Sequence, residues 1–120
     1  MSKIIQAVNS MISNSKLITN VLASTSKEYF FLYNQKYKWS MRKVNLDEYS
    51  LWFYPGTQSL DELVNTLDHE WEYVQMIHYS SKDLATKESL DSFKELFTIL
   101  EEKVFGMDSV LDDIISDLPF

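Results

Sequence analysis

Apolar residues recur at every third or fourth position along residues 3–23. Ile4, Val8, Met11, Ile18 and Leu22 mark the stripe, with Ile5, Ile12 and Val21 beside it. That spacing predicts an amphipathic helix with Ser2 as its N-cap. Its other face carries Asn9, Ser13, Lys16 and Asn20, polar but hardly basic, which predicts docking onto a sheet rather than onto a membrane. The Ser-Thr-Ser run at 24–26 breaks the pattern. Tyr29, Phe30, Phe31, Leu32 and Tyr33 are then apolar on both faces, as in a strand buried from two sides. Asn34 and Gln35 can turn the chain, and Tyr37, Trp39 and Met41 alternate with Lys38, Ser40 and Arg42 in a half-solvated strand. After a polar turn at 45–48, residues 49–54 form a third strand, aromatic on both faces and closed by Pro55 and Gly56. Three strands with short connections predict an antiparallel meander.

The pattern then returns to helix. Ser59 and Glu62 form a capping box, and Leu60, Leu63, Val64, Leu67, Trp71, Val74 and His78 keep helical spacing. This favours a helix over residues 60–78, with a fourth strand over 71–79 as the rival. Residues 80–85 read as a loop. Thr86 caps a helix reaching Val104, with Leu90, Phe93, Phe97 and Leu100 inward, and Gly106 occupies the left-handed position after it. A short last helix carries Val110, Leu111, Ile114 and Ile115, before Leu118, Pro119 and Phe120. The expectation is an α+β fold over a single domain, residues 1–120. A three- to four-stranded antiparallel sheet packs against an N-terminal helix and C-terminal helices, which cover one of its faces. Trp39, Trp52, Trp71, Phe93 and Phe97 are the expected core or near-core residues.

Composition narrows the function. A hydrophobic fraction of 45% and a charged fraction of 24% are ordinary for a folded domain. There is no cysteine, hence no disulfide, thiolate metal site or cysteine nucleophile, and a reducing compartment fits. No apolar run approaches the roughly 20 residues of a membrane span, and no secretory signal is visible, so the expectation is a cytoplasmic protein without a membrane partner. Charge is unevenly placed. Residues 1–45 hold seven bases and one acid, Glu28 (net +6), whereas residues 46–120 hold four bases and seventeen acids (net −13), giving −7 for the chain. Such an acidic field repels nucleic acid and attracts basic surfaces.

Candidate chemistry is sparse. The two glycines, Gly56 and Gly106, cannot make a phosphate-cradling loop. His69-Glu70 begins like a zinc-protease helix, but Tyr73 stands where the second histidine is required. Adjacent carboxylates such as Glu101 and Glu102 point apart on a helix, and no G-x-S-x-G elbow is present. The basic, aromatic strand with Lys36, Lys38, Arg42 and Lys43 could grip nucleic acid, yet a solvated strand face explains it and the overall acidity opposes it. No enzyme, cofactor or metal site is therefore expected; His69, Glu72 and His78 would be first candidates for a hidden one.

The acidic helical faces are what remain. Asp61, Asp68 and Glu72 fall at i, i+7 and i+11 of the capped helix, Asp91, Glu95 and Glu102 at i, i+4 and i+11 of the next, and Asp112, Asp113 and Asp117 follow on the last. Such stripes repel themselves unless a cationic partner meets them. The expectation is a small acidic protein-binding domain, monomer or weak homodimer, that neutralises a basic partner such as a nuclease toxin. The likeness to small bacterial immunity proteins is one of class, without a family motif. A self-associating scaffold subunit, pairing through aromatics or a strand edge at residues 37–44, is the alternative.

Overall fold

The computed structural model describes residues 2–84 and 86–116. Five strands run in chain order across one antiparallel sheet: β1 (Ile18–Ala23), β2 (Tyr29–Tyr33), β3 (Tyr37–Asn45), β4 (Glu48–Tyr54) and β5 (Ile77–Ser80). Around them lie α1 (Lys3–Ser13), α2 (Leu60–Val64), α3 (Ser81–Leu84), α4 (Lys87–Val104) and α5 (Met107–Ser116), with 3-10 turns at Ser15–Leu17 and Asp68–Tyr73. The expected α+β meander is present, with five strands where three or four were anticipated.

Both added strands come from segments read as helix. α1 stops at Ser13, where the Asn14 side-chain amide and backbone N–H both donate to the Ser10 carbonyl and end the helical ladder. Ile18, Thr19, Leu22 and Ala23 then pair with β2, so the helical spacing past Ser13 was coincidental. One residue bulges between Thr19 and Leu22, with Asn20 at φ 57°. The capping box of α2 forms as expected, Ser59 Oγ accepting from the Glu62 N–H and Glu62 Oε1 from the Ser59 N–H. That helix nevertheless ends at Val64, where Asn65 and Thr66 donate back to the carbonyls of Asp61 and Glu62. The chain reaches β5 through a 3-10 segment, so the rival strand is realised over Ile77–Ser80. The stretch read as a loop after Ser80 holds the single-turn helix α3.

The helices cover both sheet faces, not one. On the first face α1 and α4 enclose Phe31, Met41, Leu51, Phe93, Leu96 and Leu100, all fully buried. On the second face α2 and the 3-10 segment close over Phe30, Tyr54, Leu60 and Leu63, with Trp52 and Trp71 half-buried beside them. β4 is aromatic on both sides because both of its sides are core. β3 lies between β2 and β4. The expected free edge at residues 37–44 does not exist, since β1 and β5 are the edges. Lys38 does not solvate a face either: its Nζ donates to the carbonyls of Gly56 and Gln58, 2.5 Å each, and ties β3 to the loop after β4.

Candidate functional site

The acidic positions of the stripes that the structure describes are exposed: Asp61 on α2, Asp68 and Glu72 on the 3-10 segment, Asp91, Glu95 and Glu102 on α4, Asp112 and Asp113 on α5. No ion pair engages these carboxylates among the described residues, and Lys87 does not pair with Asp91. The α4 stripe is a true helical face, opposite the buried Phe93, Leu96, Phe97 and Leu100. The first stripe is not, because the helix breaks between Val64 and Asp68, so Asp61, Asp68 and Glu72 share no single helical face. Asp117 lies outside the described residues.

α5 buries none of its residues. Ile114 is 59% and Ile115 65% exposed, and Phe105, just before the left-handed Gly106, is 67% exposed. Val110 and Leu111 continue the same apolar stripe. Asp108, Asp112 and Asp113 border it, and the helix carries no base. An aliphatic stripe left in water beside unpaired carboxylates has the chemistry of a binding surface.

Of the residues named for hidden catalysis, His78 lies on β5, and His69 and Glu72 lie on the 3-10 segment. His78 stacks on Trp52 with ring centres 4.8 Å apart, its Nε2 lying 2.9 Å from Ser50 Oγ. His69 and Glu72 are exposed on the 3-10 segment. No group of three or more His, Cys, Asp or Glu among the described residues is placed to hold a metal ion. No helix among them is long and apolar enough to cross a membrane.

Two concave features escaped the sequence reading. A groove of about 350 Å³ runs between α1 and the sheet, lined by Met11, Tyr33, Tyr37, Trp39, Phe53 and Tyr79 among others. Trp39 there keeps a buried indole N–H without a partner. The other feature is a pair of clefts on the opposite face that meet at Glu28 and Trp71. Glu28 Oε2 accepts from Ser40 Oγ at 2.5 Å, and the Tyr54 hydroxyl lies 3.4 Å from the same carboxylate oxygen. Because Ser40 has one proton and gives it to the carboxylate, the 2.7 Å contact between Ser40 Oγ and Tyr54 OH has Tyr54 as donor. Burial raises the Tyr54 pKa far above the usual phenol range. The Ser40 hydrogen bond works against that rise, while the charge of Glu28 and its hydrogen bond add to it. The protonated phenol thus donates to Ser40, and Ser40 in turn donates to the carboxylate. The one sequence signal for this cluster was Glu28 itself, the lone acid among seven bases in the first 45 residues.

No family model matches the chain, and neither the curated proteins nor the solved structures contain a match.

Proposed function

We propose that this is an acidic protein-binding domain that captures a basic protein partner, in its sharpest form an immunity- or antitoxin-type inhibitor covering the nucleic-acid-binding surface of a toxin. The observation that carries the reading is α5, where the exposed aliphatic stripe of Val110, Leu111, Ile114 and Ile115 is bordered by Asp108, Asp112 and Asp113 and by no base. Desolvated aliphatic contacts supply affinity, and surrounding carboxylates speed encounter with a cationic surface and fix its register. The exposed carboxylates of α4 and of the 3-10 segment extend the same negative field.

The test is capture with the tagged protein from lysate of the source cells at low and at high salt, followed by titration of the captured protein in purified form. A stoichiometric basic protein whose association slows as ionic strength rises beyond about 0.15 M supports the reading. A captured partner indifferent to salt, or no basic protein at either salt, sinks it. The same α5 stripe favours a second reading, self-association, and molar mass in solution separates the two: a dimer dissolved by Ile114→Asn replaces the first reading with the second.

A further inference from the structure

The cleft between the β1–β2 turn, α2 and the 3-10 segment is the more enclosed of the pair that meet at Glu28, with a volume of about 120 Å³. Two carboxylates line it, Glu28 and Asp68, together with the hydroxyl residues Ser24, Thr25, Ser26 and Thr66 and the ring of Trp71. No base lines it; Arg42 lies in the neighbouring cleft, beyond Glu28. What makes the cleft specific is its charge and the partners its polar groups already have. Thr66 donates to the Glu62 carbonyl at 2.8 Å, and Ser24 and Ser26 share one hydrogen bond of 2.9 Å. Ser40, 0% exposed, donates to Glu28 Oε2, and Tyr54, 2% exposed, donates to Ser40, which leaves Glu28 Oε1 without a partner. Asp68 is engaged by no hydrogen bond or ion pair. With two carboxylates and no base, the cavity presents negative charge beside an aromatic ring. It suits a ligand that is cationic, rich in donors and flat.

We propose that this cleft is a guanidinium site, filled by an arginine side chain of the basic partner. The guanidinium stacks on Trp71 and forks its N–H donors onto Glu28 Oε1 and Asp68. A planar ion with five fixed donors matches this set better than the single-point ammonium of lysine, and stacking on an indole adds cation–π attraction. Glu28 arrives pre-oriented, because its other oxygen accepts from the buried Ser40 hydroxyl, itself fixed by the Tyr54 phenol, so little freedom is lost on binding. The arginine's source rests on the binding function proposed above, whereas the site itself can be tested alone.

The probe is N-acetyl-arginine amide, titrated into the full chain and followed by tryptophan fluorescence and by the Trp71 indole NMR signal. N-acetyl-citrulline amide serves as the neutral isostere and N-acetyl-lysine amide as the ammonium control. The expected result is saturable binding of the arginine derivative with Kd on the order of millimolar, about fivefold or more weaker for the lysine derivative, and none for citrulline. Asp68→Asn, an exposed position whose change leaves folding intact, weakens arginine binding severalfold, and Glu28→Gln abolishes it. Equal shifts from citrulline and arginine, no saturable shift at all, or unchanged binding in Asp68→Asn each overturn the site. Arginine binding with no basic protein captured keeps the cleft and defeats the partner reading. Capture of a basic protein without arginine binding does the reverse.

Discussion

Replacing Tyr54 by Phe removes one hydroxyl from a residue 2% exposed and leaves the ring packed against Phe30 and Trp71, with centroid distances of 5.9 and 6.1 Å. At neutral pH the loss is one buried hydrogen bond, from Tyr54 to Ser40, which costs about 1 kcal/mol. At alkaline pH the sign reverses. Burial raises the folded-state pKa of Tyr54 well above that of an exposed phenol, while the unfolded chain ionises near the ordinary value of about 10. Above that pH the native state binds more protons than the unfolded one, so the wild type loses stability as pH rises. Near pH 11 that loss amounts to about 1.4 kcal/mol for this one group. The Phe variant lacks this loss. It should be about 1 kcal/mol less stable than wild type at pH 7, equal to it between roughly pH 10.5 and 11, and more stable above. Urea unfolding followed by tryptophan fluorescence at closely spaced pH values gives the difference directly from midpoints and slopes. Other alkaline effects are common to both proteins and cancel. A stability difference that stays constant from pH 7 to 11 would refute the buried-donor role of Tyr54, since it would mean that the phenol ionises alike in both states.

Three further outcomes follow from the packing and the turns. Phe93→Ala, at a fully buried position where α4 faces the sheet, should cost about 3–5 kcal/mol; a change below about 1 kcal/mol in denaturant melts would show that α4 does not close that core. Gln35→Gly should raise stability by about 0.5–1 kcal/mol in the same assay, because Asn34 and Gln35 hold φ of 54° and 60° in the β2–β3 hairpin, a conformation that asparagine tolerates and glutamine does not. Ile114→Asn with Ile115→Asn should leave the melting midpoint nearly unchanged, since both side chains are more than half exposed, while lowering capture of the basic partner at least tenfold; unaltered capture would remove α5 from the interface.

Local chemistry, read from the sequence alone, determined those elements whose signals are short in range. The capping box at Ser59 and Glu62, the Thr86 cap of α4, the left-handed Gly106 and the strands β2 to β4 all lie where their residues placed them. These features need only neighbours within a few positions, through capping hydrogen bonds, turn conformations and side-chain alternation. The exposure of the acidic residues and the acidic face of α4 were equally legible, whereas the face drawn through Asp61, Asp68 and Glu72 was not, because the helix ends at Val64.

Tertiary structure decided the rest. Ile18, Val21 and Leu22 extend a helical spacing on paper, yet they become β1 because β2 offers partners for their backbone groups. Ile77 and Tyr79 join β4 for the same reason, against a helical pattern that ran on from Leu60. Apolar spacing over four or five residues fits both periods, and only the edge available for pairing selects between them. The second covered face of the sheet follows from that choice: once residues 77–80 join the sheet, the segment before them must cross over Phe30 and Tyr54, and Trp71 goes with it. Beyond the lone acid Glu28, the cleft left no mark in the sequence, since it joins the β1–β2 turn, β2, α2 and the 3-10 segment, with Glu28 and Trp71 lying 43 positions apart. Only folding brings a lone acid, two hydroxyls and an indole within reach of one another.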